Sequence, residues 1–330
     1  AARLIGARPD EIYFTSGGSE SDNWAIKSFS RSIRKKRMGA SCHIITTSIE
    51  HNAVLNSCRT LESEGFTVTY LPCDKYGFIH PETLQAAIRD DTILISVMAA
   101  NNEVGSIQPL KAIGQIARRH QIVFHTDAVQ AYGHIPINVN ECMIDMLSMS
   151  AHKLHGPKGV GFLYIRNGLE LPSYIDGGSQ ENGHRAGTSN VPGIVGLGKA
   201  CEIAARNMQK NINSMTRLRN RLIYQIRQGL PNAVLTGSEQ MRLPNNVSFC
   251  FPGVESAQLL SILDSHGICA SAGSACSTGA AGPSHVLIAM GIDYNLAGGS
   301  LRLTLSSENT MQEVDFVAET VIKTVKRLSV

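Results

Sequence analysis

Between residues 11 and 166, short apolar runs alternate with amphipathic stretches, and this alternation limits the fold more than any other feature of the chain. Strands read at 11–15, 43–48, 66–72, 92–100, 121–126, 145–150 and 159–166. Helices read at 17–29, 51–64, 81–89 and 109–120, the third opened by a proline at its first position. Apolar strands separated by helices predict an α/β fold: a mostly parallel sheet covered on both faces. A glycine-rich stretch at 177–187 and a long helical region at 191–228 follow. Short strands at 246–251, 268–271 and 300–305, with helices at 256–265 and 310–328, then predict a smaller α+β C-terminal domain. The expected division is a large domain over 9–207 and a small one over 208–330.

In an open parallel sheet, ligands bind beyond the carboxyl ends of the strands. Five of those ends carry chemically able groups: Ser16-Gly17-Gly18-Ser19, Glu50-His51-Asn52, Asn101-Asn102-Glu103, Asp127 followed by Gln130, and His152-Lys153. Packing alone accounts for Gly, Asn and Asp in turns, but not for His, Lys and Gln in the same places. Taken singly, each has an ordinary reading. The Ser-Gly-Gly-Ser run serves equally as an anion cup or a helix cap, Asp127 as a turn residue, and His51 as a helix N-terminal residue. Lys153 stands just past an apolar strand, where desolvation favours a free amine able to form an imine. Together, an anion cup, a carboxylate, a flat ring neighbour and an imine-forming lysine suit pyridoxal 5'-phosphate (PLP). The GxGxxG dinucleotide fingerprint is absent after the first strand.

The 330 residues carry 30 Lys plus Arg against 27 Asp plus Glu, a net charge of +3. That is too near balance to predict nucleic acid or an acidic membrane surface as partner. No apolar run reaches the length of a membrane span, and no signal peptide opens the chain. Eight scattered cysteines without a CxxC pair predict reduced thiols and a cytoplasmic setting. His152 and His155 sit in a Gly/Pro-rich turn with no cysteine pair nearby, so no metal site is expected. The basic run at 31–37 reads as a solvated helix end or loop. The chain opens without Met, inside what reads as the end of a helix at 1–6, which predicts a preceding segment.

Six stretches carry a specific resemblance: Thr15-Ser16-Gly17-Gly18-Ser19-Glu20-Ser21-Asp22-Asn23, Glu50-His51, Asn101-Asn102-Glu103, His125-Thr126-Asp127-Ala128-Val129-Gln130, Ser150-Ala151-His152-Lys153 and Ser271-Ala272-Gly273-Ser274-Ala275-Cys276. In this order they resemble the cysteine desulfurases, class V members of the fold-type-I PLP-dependent transferases, and the group with the long cysteine loop in particular. The resemblance implies that Lys153 holds PLP through an imine, Asp127 pairs with the pyridine nitrogen, and His51 stacks on the ring and helps move protons. It implies that Gln130 bonds the phenolic oxygen, with Asn102 near that oxygen and the substrate. Gly18, Ser19, Ser150 and His152 would hold the phosphate. Thr188 would reach the phosphate of a neighbouring subunit, which implies a homodimer. Arg302 would grip the carboxylate of the substrate, L-cysteine. Cys276, in a stretch of small residues, would be the nucleophile that carries the persulfide to a sulfur-acceptor or scaffold protein. Cys269 reads as a buried small residue.

The implied activity is conversion of L-cysteine to L-alanine, with sulfur supplied for iron–sulfur cluster or thio-cofactor assembly. Selenocysteine lyase and class V aminotransferase are the alternatives within the fold. Family members usually have Ala-Thr where this chain has Gly18-Ser19, and Gly and Arg are commoner at Ser179 and Asn182. They also carry an N-terminal Asp-Asn-Ala-Ala-Thr-like segment that lines the substrate pocket. Its absence here makes an inactive partner-binding platform the alternative outside enzymes.

Overall fold

The computed structural model describes residues 1–273 and 282–329; Cys276 lies outside the described residues. The chain forms two compact units. The first comprises Ala1–Pro72, Ile79–Ala99 and Gln108–Met208; the second comprises Cys73–Phe78, Ala100–Ile107 and Gln209–Val330.

In the first unit, β1 (Ile12–Thr15) leads into α1 (Gly18–Asn23), a π-helical turn (Trp24–Ser28) and α2 (Phe29–Lys36). Then come β2 (His43–Thr47), α3 (Asn52–Ser63), β3 (Thr67–Leu71), α4 (Pro81–Ala87), β4 (Thr92–Ser96), α5 (Leu110–Arg119), β5 (Val123–Asp127), β6 (Met146–Ser150), a 3-10 turn (Ala151–Leu154), β7 (Gly161–Ile165) and the start of α6 (Val191–Gly229). The sheet order is β1-β7-β6-β5-β4-β2-β3. β7 runs antiparallel to both its neighbours, and the other pairings are parallel. β2, β4, β6 and β7 are buried along their whole length, as strands covered on both faces must be. The helices dock by apolar stripes. α5 buries Leu110, Ile113, Gly114, Ile116 and Ala117, and a Cβ on Gly114 would stand 1.8 Å from the Cys142 carbonyl oxygen. Trp24, Phe29, Ile44, Leu61, Leu94 and Met146 share one core cluster.

The second unit holds β8 (Val234–Leu235), β9 (Asn246–Cys250), α7 (Ser256–Ser265), α8 (His285–Ala289), α9 (Tyr294–Ala297), β10 (Ser300–Thr304) and α10 (Met311–Leu328). Its sheet, β10-β9-β8, is antiparallel. α10 opens with a capping box in which Thr310 Oγ1 accepts from Glu313 N–H and Glu313 Oε2 accepts from Thr310 N–H. Phe249, Phe251, Leu259, Leu301, Val314 and Val321 pack in its core.

The elements differ from the expectations in three places. The apolar run at 92–100 is a strand only to Ser96, although Val97 and Ala99 still donate to the carbonyls of His125 and Asp127. The helix after β1 continues to Lys36, so the basic run is its last turns. Arg31 is paired there with Glu64, and Arg34 lies over the Phe66 ring at 4.9 Å. Residues 268–271 make a single bridge, Ser271 to Arg302, in place of a strand, and Cys269 is exposed, not buried. The seven described cysteines are free thiols. Among the described residues, no helix is long and apolar enough to cross a membrane.

Candidate active site

The turn after β1 begins the site. β1 pairs with β7 so that Thr15 faces Gly161, and a Cβ on Gly161 would stand 2.8 Å from Gly17 Cα. Gly17 has φ +152°, and a Cβ on Gly18 would meet Val129 Cγ2 at 2.6 Å. Close approach explains the glycines at 18 and 161, and the positive φ explains the one at 17. Helix α1 then starts at Gly18, leaving its first N–H groups available to an anion. Ser150 lies beside this start, its Oγ 3.4 Å from the Cβ position of Gly17. The same Oγ is 2.8 Å from His152 Nδ1. Glu20 ties the turn down, accepting from Ser16 N–H at 2.9 Å and from Arg185 Nε at 2.9 Å. Thr188 is exposed and lines a cavity of about 160 Å³ with Thr15 and Ser16.

The ends of β5 and β2 bring the ring-facing groups together. Asp127 is buried, and its Oδ1 accepts from Val129 N–H at 2.9 Å. Burial pushes its carboxyl up from the usual range, while the Val129 N–H, His51 and Lys153 pull it back. His51 caps α3, its Nδ1 accepting from Ala53 N–H at 3.1 Å, so the neutral ring carries its proton on Nε2. One donor atom each from Asp22, His51 and Asp127 lie within 4.8 Å of one another. Lys153 sits in the 3-10 turn after β6, partly buried and near enough to Asp127 to act on its charge. His134 Nε2 holds that turn by a 2.9 Å contact with the Lys153 carbonyl oxygen. Gln130 lies in the turn just after β5.

The first unit therefore gathers Gly18, Ser19, His51, Asp127, Gln130, Ser150, His152 and Lys153 at one end of its sheet. Asn102 and Arg302 belong to the second unit. There they meet directly, Arg302 Nη1 donating to the Asn102 carbonyl oxygen at 2.8 Å. Arg302 also pairs its backbone with Ser271, two residues before Gly273.

Three buried groups at this sheet end carry no expectation from sequence. Asp22 is 1% exposed. Glu50 is fully buried, accepts from Met98 N–H at 2.8 Å and from Thr47 Oγ1 at 2.9 Å, and is pushed up to about 8 by burial. His125, pushed down to about 3 by burial, is a neutral ring. Its Nε2 stands 3.6 Å from Asp22 Oδ1, a spacing that makes no ion pair because the ring is uncharged. The signal for Asp22 was available: an acid sharing a helix face with Gly18 and Ala25 cannot reach water.

The residues present fit PLP. A buried carboxyl raised by desolvation is a poor anion until a cation lies beside it, and a protonated pyridine nitrogen is such a cation. The free helix start with Ser150 and His152 beside it suits a phosphate, and Lys153 supplies the amine.

The Aminotransferase class-V family model matches residues 1–317. The chain belongs to the class-V aminotransferase family. Within it the chain stands among the cysteine desulfurases. It is 53% identical over 328 residues to the cysteine desulfurase IscS of Methanosarcina thermophila, covering 99% of this chain and 80% of that one. Among solved structures it is similar to a NifS-like protein (TM-score 0.91, 39% identity, 99% of this chain and 85% of that one). It is also similar to SspA in complex with cysteine (TM-score 0.81, 38% identity, 94% and 85%). This class-V enzyme is PLP-dependent, as that family is.

Proposed function

We propose that this cysteine desulfurase works on L-cysteine with the residue roles that its site supports, leaving L-alanine and a persulfide on Cys276. The observation that carries the reading is the meeting of Asp127, His51 and Lys153 at the sheet end, in a chain similar to cysteine desulfurases over nearly its whole length. When bound, PLP supplies an electron sink that makes the bonds at the substrate α-carbon labile. Lys153 would hold it through Nζ, Asp127 would keep the ring nitrogen protonated, and Gly18, Ser19, Ser150 and His152 would hold the phosphate. Gln130 would bond the phenolic oxygen, with Asn102 near that oxygen and the substrate.

The chain's own groups do the rest. Arg302 presents a guanidinium to the substrate carboxylate, its fork set by the Asn102 carbonyl. Lys153 Nζ is the atom able to take and return the α-proton, since the neutral His51 ring has its one acceptor nitrogen, Nδ1, engaged by Ala53 and offers Nε2–H as a donor. Cys276 Sγ, as thiolate, forms a bond to the substrate sulfur as the carbon–sulfur bond breaks. The persulfide then passes to an acceptor or scaffold protein for iron–sulfur cluster or thio-cofactor assembly.

We read the active form as a cytoplasmic homodimer in which Thr188 completes the phosphate site of the neighbour. Val191 and Val195, one helical turn apart and 60% and 66% exposed, support a covered face there. Free thiols at the seven described cysteines support a reducing compartment. The test is alanine and sulfide release from L-cysteine with a reductant. Cys276→Ala is expected to abolish sulfide release and leave the bound cofactor's spectrum intact. Full sulfide release by Cys276→Ala would exclude this thiol as the sulfur carrier.

A further inference from the structure

Asp22 has no part in the roles above, yet it is among the most buried acids of the chain. Its surroundings run element by element as follows. From β5 come Asp127, with an oxygen within 4.8 Å, and the neutral ring of His125. From β6 comes Ser148, whose hydroxyl acts on the Asp22 carboxyl and lies 3.0 Å from His125 Nε2. From the turn after β2 come His51, in the same 4.8 Å set, and Glu50, itself raised to about 8. Lys153 acts on Asp127. Asp22 Oδ1 has no hydrogen-bond partner.

An ionised carboxylate needs donors on both oxygens, and a second carboxylate nearby makes ionisation harder still. A carboxylic acid needs only an acceptor for its proton. The geometry provides one through a chain in which every proton has a place. Ser148 O–H donates to His125 Nε2 and His125 Nδ1–H donates to Ser96 Oγ at 2.9 Å, which leaves Ser148 Oγ able to accept a proton from an Asp22 O–H.

We propose that Asp22 is a positioning residue that stands as a neutral carboxylic acid at the head of the uncharged chain Asp22–Ser148–His125–Ser96, which leaves Asp127 as the carboxylate that ionises to face the ring nitrogen. This rests on the reading of Asp127 as the ring-nitrogen partner. The direction of the Asp22 shift, upward through burial first and Asp127 second, agrees with the geometry.

The test is infrared difference spectroscopy of the cofactor-free protein at neutral pH. Subtracting Asp22→Asn from wild type is expected to reveal a carboxylic-acid C=O stretch that persists in Asp127→Asn, with Glu50→Gln marking the separate Glu50 signal. Loss of a carboxylate band in Asp22→Asn instead would overturn the proposal. Should Asp22→Asn fail to fold, Ser148→Ala replaces it: removing the acceptor shifts the acid stretch upward, and no shift overturns the proposal. On loading with PLP, Asp22→Asn is expected to keep the affinity within about threefold, since an amide matches a neutral acid in charge. Asp127→Asn should lose about tenfold or more. Equal loss in both variants overturns the neutral acid. An unaffected Asp127→Asn sinks the ring-nitrogen reading while the infrared result still stands.

Discussion

The two units satisfy the charge-bearing groups they bury in different ways. The first closes Asp22, Glu50 and Asp127 away from water at one end of its sheet. The second buries Arg219 and Arg242. Arg242 donates from Nε to the Ser238 carbonyl at 2.7 Å, from Nη1 to Asn246 Oδ1 at 2.8 Å, and from Nη2 to the Thr236 carbonyl. Arg219 donates from Nη1 to the carbonyls of Arg242 and Leu243 at 3.1 and 3.0 Å. Burial lowers Arg242 to about 9, so it remains charged at neutral pH, its donors met by backbone and amide oxygens. Asn246 passes the restraint on, donating to the Glu103 carbonyl at 3.0 Å. The arginines thus serve as fasteners for the segment that carries Asn102. Burial raises the acids instead, Glu50 to about 8.

The contrast can be broken from either side. Arg242→Met should be the most damaging of the substitutions below, because it leaves carbonyl oxygens buried without donors. A loss of about 3 kcal/mol or more is expected in urea unfolding. Loss under about 1 kcal/mol would show that the guanidinium does not fasten the loop. Glu50→Gln tests the acid side. The native state keeps a proton on Glu50 up to pH of about 8, whereas the unfolded chain releases it near 4.5. The folded pKa is raised, so wild-type stability falls as pH rises between these values, by up to about 1.4 kcal/mol per pH unit. Unfolding at a series of pH values should show that fall in wild type and a shallower one in Glu50→Gln; identical slopes would contradict the burial argument. The smallest effect belongs to the exposed basic run. Arg31→Ala, which breaks the surface pair with Glu64, should change stability by less than about 1 kcal/mol.

Much of this arrangement was legible in sequence, for identifiable reasons. Strands buried on both faces show as apolar runs, so β2, β4, β5, β6 and β7 fall near their expected places. The chemistry at their carboxyl ends follows from the rule for open parallel sheets. What escaped depends on packing. β8 is two residues long and exists through its pairing with β9. The basic run, expected at a helix end or in a loop, is the helix end, where Arg31 and Lys36 reach Glu64 and Glu170. Asp22 was quoted within a motif, but its role depends on what stands opposite it on β5 and β6, and no local pattern encodes that.

The account's central claim is that Lys153 and Asp127 serve one bound cofactor. The visible absorption of the PLP-loaded protein tests it most directly. Wild type should show a long-wavelength band that shifts on adding L-cysteine, and Lys153→Ala should lose the band with its fold intact. A Lys153→Ala protein that keeps both the band and its response to L-cysteine would contradict the account.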